Sequence, residues 1–241
     1  MKIAAHLAHR AVLADTEHSF NTVNFRSPQG SWFMARQRKF ERKLPDDRRK
    51  ILIAATLKCL SDEGQEGMSV RKISEAAGIS VGLINHHYAS KEDLVAQAYE
   101  TLSISLLDAA KDAVERADGH ARTQLSAMIR SMFSEPMLDP GMLRCWLVFW
   151  GMIEKGSALK DVHDRTYGEY RKYVEGLLGR LAADHGMPLL DIRLAAIGLL
   201  ALVDGLWIEW CLNQKTFATE EAVRLCEAWI DALILRAAPN R

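Results

Sequence analysis

The sequence predicts an all-α protein of about nine helices: a small N-terminal three-helix unit followed by a larger C-terminal helical bundle. Apolar residues recur at helical spacing from Asp46 almost to the end of the chain. The gaps between these segments hold helix caps and stops, mainly Ser, Gly and Pro. No segment sustains the apolar–polar alternation of a strand, and no internal repeat or low-complexity tract is present.

Each element has its own signal. Ile51, Ala54, Ala55, Leu57, Cys59 and Leu60 form a broad apolar stripe that Gly64 ends. Ser69 is placed to cap a short helix that stops at Gly78, and Ser80 caps a second short helix. Ser90 caps a long amphipathic helix running to Arg116, with Asp93 three positions on in a near capping box. Beyond Asp118-Gly119, helices are expected at 121–134, 140–155, 158–184, 189–214 and 219–236. Their breaks fall at Glu135-Pro136, Gly156, Gly186-Met187-Pro188 and Lys215-Thr216, and Glu221 gives the last helix an acidic first turn. The expected organisation is an arm at 1–45, a reading unit at 46–92 and a bundle at 93–241, with 93–117 as connector helix.

Composition narrows the class. Hydrophobic residues at 49% and charged residues at 26% describe an ordinary globular protein, and a formal net charge of +0 argues for no partner. Local charge does: Arg36 to Lys50 holds eight basic residues against Glu41, Asp46 and Asp47. Residues 1–33 fit neither periodicity, and two readings stay open, a disordered segment or a start upstream of a native one at Met34. The four cysteines are widely spaced without a CxxC pair, which suits buried thiols in a reducing compartment. The apolar run Leu194–Ile208 is interrupted by Asp204 and reads as too short for a bilayer. His6, His9 and Arg10 spoil any signal peptide, so a cytoplasmic protein without a membrane partner is expected. No nucleophile–base pairing, phosphate-binding glycine loop or metal-spaced cluster stands out, and His120, His163 and His185 lack obvious partners. An enzyme, a cofactor and a metal site are therefore not expected.

Two short helices around Ala76-Ala77-Gly78 match a helix-turn-helix, with Ile73, Ile79 and Ile84 holding the pair to the first helix. Taken alone, any short helical hairpin would fit. The stretch SVRKISEAAGISVGLINHHYASKEDL, however, resembles the signature of the tetracycline-repressor (TetR) family along its whole length. The matching elements are Ser69, Ala76-Ala77-Gly78, Ser80, Gly82, Tyr88 and Lys91. That resemblance implies a three-helix DNA-binding domain, a connector helix, and a C-terminal domain that binds a small-molecule effector and forms a homodimer. It also implies double-stranded DNA as partner and repression as the commoner mode.

Physical roles follow for the recognition helix, which enters the major groove by its N-terminal half. Gly82 permits close approach, Val81 can meet a thymine methyl, and Asn85 can pair with adenine. His86 and His87 project about 100° apart, which argues against chelation by the pair. One ring is expected to reach DNA and the other to pack, and which does which stays open. Tyr88 is expected to bury its ring and leave its hydroxyl for phosphate. Ser69, Lys91 and the basic arm are phosphate contacts, and Ser80 completes the set as the cap of the recognition helix.

In the C-terminal part, CWLVFWGMIEKG places Trp146, Phe149, Trp150 and Ile153 on one stripe, a pattern that core packing alone can explain. LLALVDGLWIEWCLNQK sets Asp204 among Trp207, Ile208 and Cys211. A carboxylate there needs Arg144, Arg193, a backbone donor or a cationic ligand. WLVFW, ALVDGLW and LINHHY together resemble the choline-responsive, betaine-pathway repressor branch of the family. The branch implies an effector such as a quaternary ammonium, for which Trp146, Trp150, Tyr167, Tyr170, Asp204 and Trp207 are candidate lining residues. Glu154-Lys155, Tyr167-Gly168-Glu169-Tyr170 and Glu209-Trp210 depart from that branch. A polyamine, another amine, an apolar metabolite or control by a protein partner stays open. The last two helices carry apolar residues on more than one face (Leu194, Ile197, Leu200 and Ala201; Val223, Leu225, Trp229, Ile230 and Leu233) and are the expected dimer surface.

Overall fold

The computed structural model describes residues 45–117, 119–135 and 137–237. The basic arm up to 44, and both readings of 1–33, lie outside the described residues. Among the described residues there are nine helices and no strand. In chain order they are α1 (Pro45–Gly67), α2 (Val70–Ala77), α3 (Val81–His87), α4 (Lys91–Arg116), α5 (Ala121–Met132), α6 (Pro140–Met152), α7 (Ala158–Asp184), α8 (Ile192–Leu212) and α9 (Thr219–Ala237).

The serine caps form as their spacing requires. Ser69, Ser80 and Ser90 accept hydrogen bonds from the backbone N–H groups of Lys72 (3.3 Å), Leu83 (3.3 Å) and Asp93 (3.0 Å). Gly78 ends α2 in the left-handed region at φ 63°, where a side chain is strained. Gly64 leaves helical geometry at φ 70°, and one further turn carries α1 to Gly67. Asp139 and Asp191 cap α6 and α8 through the N–H groups of Met142 and Leu194, both at 2.9 Å. Capping by Asp191 starts α8 three residues later than the sequence predicts.

The three head helices gather on Ile73 and Ile84, both buried in the core, with Ile79 partly buried beside them, and α2 packs on both α1 and α3. An ion pair between Lys72 and Glu63 ties α2 to the end of α1. Helix α4 leaves the head and packs on α1, α5 and α7, while α6 packs on both α1 and α8. Tyr99, Leu125, Met128, Leu143, Phe149 and Leu177 form the centre of the core. Cys59, Cys145 and Cys226 are buried, Cys211 is half-buried, and all four are free thiols. Burial raises the Cys145 thiol to about 12, which leaves it chemically quiet.

Helix α8 corrects one expectation. At 21 residues it is long and apolar enough, by length and composition, to cross a bilayer. Here it lies in the bundle, with Ala195, Ala196, Leu199, Leu200, Val203 and Trp207 buried. Gly198 lets the Trp229 ring of α9 press onto its backbone, since a Cβ there would stand 2.7 Å from the indole. Of the residues expected on the dimer face, Leu194, Ile197, Ala201 and Leu225 stay exposed, whereas Leu200, Val223 and Ile230 turn inward and belong to this chain's own core instead.

Candidate DNA-reading surface and effector cavity

Helix α3 presents Val81, Gly82, Asn85 and His86 outward. A Cβ added at Gly82 would meet nothing within 4 Å, so internal packing does not demand the glycine. Glycine disfavours a helix, and the open space beside it suits an outside partner coming close. The two histidine rings stand 5.6 Å apart at 69° to each other. His86 is exposed, whereas Nε2 of His87 is enclosed without a hydrogen-bond partner among the described residues. Burial lowers the His87 pKa, followed by the positive charge of His86, Arg49 and Arg48, so this ring favours its neutral form. Among the described residues no group of His, Cys, Asp and Glu could hold a metal ion.

Tyr88 departs from the sequence reading. It is the C-cap of α3 in extended geometry (φ −134°, ψ 133°), which turns its half-buried ring into the head. Its hydroxyl is enclosed and unpartnered rather than free for phosphate. Burial raises its pKa, against a smaller opposing pull from Arg49. Ser69 and Ser80 remain exposed at the first turns of α2 and α3, and Lys91, half-buried, opens α4.

A cavity opens between α4, α6, α7 and α8, lined by Tyr99, Ser103, Leu106, Trp146, Trp150, Thr166, Tyr167, Tyr170, Asp204 and Trp207. All six lining residues named from the sequence meet there. Its free volume is about 20 Å³, room for roughly one water. Trp146 and Trp150 are tilted at 34° with centroids 6.2 Å apart, and Tyr99 stands edge-on to Trp146 at 5.6 Å. Trp207 Nε1 donates to the Met132 carbonyl at 3.1 Å, and the Tyr170 hydroxyl donates to Met132 Sδ at 3.1 Å.

Asp204 is the one acid among these rings. Neither Arg144 nor Arg193 pairs with it; the Tyr167 hydroxyl donates to Oδ2 at 3.2 Å. Burial pushes its pKa up to about 6, and the Tyr167 hydrogen bond only partly offsets that. His163 stacks on Tyr167 at 5.3 Å, and its Nδ1 meets the Tyr99 hydroxyl at 2.7 Å. Sequence reasoning missed Tyr99, Ser103, Leu106 and Thr166. The first three sit at i, i+4 and i+7 of α4, a spacing that also describes plain core.

Comparison with known proteins places this architecture. The family model for bacterial regulatory proteins of the tetR family matches residues 52–98, and that for the C-terminal part of BetI-type transcriptional repressors matches 121–235. The HTH-type transcriptional regulator BetI of Ectopseudomonas mendocina (strain ymp) is 31% identical over 192 residues, covering 79% of this chain and 95% of that protein. The chain belongs to the TetR family, with a BetI-type C-terminal domain. It is a DNA-binding transcriptional repressor of that type. BetI of Paraburkholderia phymatum is 29% identical, with the same coverage of both chains. Among solved structures, a candidate transcriptional regulator from Pseudomonas aeruginosa PAO1 is 47% identical at TM-score 0.76, over 80% of this chain and 93% of that one. A candidate regulator from Saccharomonospora viridis, solved in complex with choline, shares the fold at TM-score 0.67 and 18% identity, over 77% of this chain and 96% of that one.

Proposed function

We propose that this TetR-family repressor acts as a cytoplasmic homodimer on a palindromic operator and is released when a small organic cation occupies the α4–α6–α7–α8 cavity. The observation that carries the effector class is Asp204: a carboxylate among aromatic rings, paired with no Lys or Arg among the described residues. Ring faces and one enclosed negative charge together suit a quaternary ammonium or amine, and choline in the Saccharomonospora viridis neighbour supports that choice. Residues 46–92 form the reading domain and 93–241 the effector and dimer domain, with 93–117 as connector. The exposed apolar residues Leu194, Ile197, Ala201 and Leu225 supply the dimer face on α8 and α9. No catalytic step, cofactor, metal or membrane enters this reading.

On the DNA side, Val81, Asn85 and the exposed His86 meet base edges, with Gly82 allowing their approach. Ser69, Ser80 and Lys91 meet phosphate, while His87 and Tyr88 support the helix from behind. Coupling runs through shared walls. Tyr99, Ser103 and Leu106 of α4 touch the cavity, and α4 begins at Lys91, just past the end of α3. Helix α6 carries Trp146 to the cavity, and the adjacent Cys145 Sγ donates to the Leu57 carbonyl of α1 at 3.2 Å. A cavity with room for one water must widen to admit an organic cation, which moves both helices against the head. The effector then favours a conformer with wrongly spaced recognition helices. A coupling of about 1–3 kcal/mol changes operator occupancy roughly 5- to 150-fold.

The test is a gel-shift and footprint on the DNA upstream of the protein's own gene, repeated with a panel of amines and quaternary ammonium ions. Specific binding relieved by one cation is expected. Binding no tighter than to random duplex overturns the operator reading, and specific binding that no small cation relieves favours a protein partner instead.

A further inference from the structure

Six of the cavity's polar side chains already have hydrogen-bond partners. The Tyr99 hydroxyl meets His163 Nδ1 at 2.7 Å, the Thr166 hydroxyl donates to the Val162 carbonyl at 2.9 Å, and Tyr167 donates to Asp204. Tyr170 and Trp207 are both spent on Met132. Ser103 Oγ is different: it is enclosed and lines the cavity, and although it lies near the Tyr99 hydroxyl it completes no well-formed hydrogen bond among the described residues, because that hydroxyl is held by His163. Serine in a helix ordinarily satisfies its hydroxyl on a carbonyl of the preceding turn, as Thr101 and Ser105 of the same helix do, onto Gln97 and Thr101 at 2.9 and 2.8 Å. Ser103 forgoes that bond. An enclosed hydroxyl without a partner is destabilising, and such groups are rare unless something else satisfies them.

Ser103 and Asp204 also stand on different walls. Ser103 is on α4 and Asp204 on α8, and α7 packs against both helices. A ligand that spans the cavity from Asp204 reaches the α4 wall that carries Ser103.

Resting on the cation reading above, we propose that Ser103 reads a hydroxyl on the effector, so that the site selects hydroxyalkyl ammonium ions over purely alkyl ones. The serine both donates to and accepts from an alcohol, which a carbon end cannot match. A ligand ending in carboxylate is disfavoured, because it brings a second negative charge into a site that already encloses Asp204.

The test compares choline with n-propyltrimethylammonium, in which a methyl replaces the hydroxyl, by titration calorimetry at pH 8 on the full chain. The wild type is expected to bind choline roughly tenfold more tightly, the worth of one buried hydrogen bond. Ser103→Ala is expected to bind the two ions equally and to leave the affinity for n-propyltrimethylammonium unchanged. The ligand-free variant should melt no lower than the wild type, since it removes an unsatisfied hydroxyl. Ser103→Cys, which keeps the volume but donates poorly, should fall between. Equal binding of both ions by the wild type overturns the role of Ser103 while the cation cage stands. A preference that survives in Ser103→Ala, or a variant that melts lower, overturns it as well. Binding of neither ion to the wild type overturns the cage and the Ser103 role together.

Discussion

The reading head and the cavity treat their polar residues in opposite ways. On α3, Asn85 and His86 are left outside the core, where water satisfies them until a partner arrives, and the fold asks nothing of them. In the cavity, Asp204 and Ser103 are taken inside, where each is held at a cost to stability. Function at the head can therefore be removed with little change in folding. In the cavity, removing function should make the protein more stable.

Asp204→Asn probes this most strongly. Burial raises the folded-state pKa to about 6 from the ordinary aspartate value of 3.8, so the folded protein holds the proton more tightly than the unfolded chain. The stability from that proton is fully present below about pH 4 and is lost as pH rises through 6, amounting to about 3 kcal/mol at pH 8. The asparagine variant cannot ionise and keeps that stability. Denaturant melts should show it more stable than wild type by about 3 kcal/mol at pH 8 and nearly equal at pH 4. Cation affinity at pH 8 should fall on the order of 100-fold, as for other enclosed charge pairs. In the wild type, the same affinity should weaken as pH drops below 6, because the proton competes with the effector. A variant less stable than wild type at pH 8 would mean that Asp204 supports the fold rather than the ligand.

The histidine pair sharpens the head. His86→Ala should weaken specific operator binding by roughly 1–3 kcal/mol without shifting the melting temperature. His87→Leu, in the enclosed position, should hold operator affinity within about threefold and melt no lower. The reverse pattern in anisotropy titrations would exchange their roles.

The contrast also explains what sequence could reveal. Ser69, Ser80 and Ser90 were legible as caps because capping is local, and so was Gly78, whose left-handed backbone is set within one turn. Asp204 was legible because a lone acid on an apolar helix is anomalous wherever that helix packs. Tyr99, Ser103 and Leu106 were not, since their spacing on α4 becomes a cavity wall only once α7 and α8 stand opposite. The difference between His86 and His87 also has a sequence signal. Ile84 is the buried anchor of α3, and His87 lies three residues on, over the same face. The unsatisfied Tyr88 and Ser103 hydroxyls carried no sequence signal at all, because satisfaction depends on every neighbour at once.

Gly82→Ala separates the two costs within the head itself. The space beside Gly82 is empty and its backbone lies outside the left-handed region, so alanine fits and should raise stability by about 0.4–1 kcal/mol. Operator affinity should drop nonetheless, because the methyl occupies the approach to DNA. A stabilised variant with undiminished affinity would show that the glycine is not there for DNA.

The smallest effect belongs to Lys91→Ala. Lys91 opens α4 at the edge of the reading surface, and a phosphate contact made from there carries no sequence information. Operator and scrambled duplex should therefore lose affinity alike, and the slope of log affinity against log salt should fall by about 1. His86 should do the opposite, changing preference among sequences and leaving the slope nearly intact. Salt titrations of both variants on both duplexes make the two residues controls for each other. A change in sequence preference with an unaltered slope would move Lys91 from the backbone to a base edge, and the division of α3 and α4 between reading and anchoring would have to be redrawn.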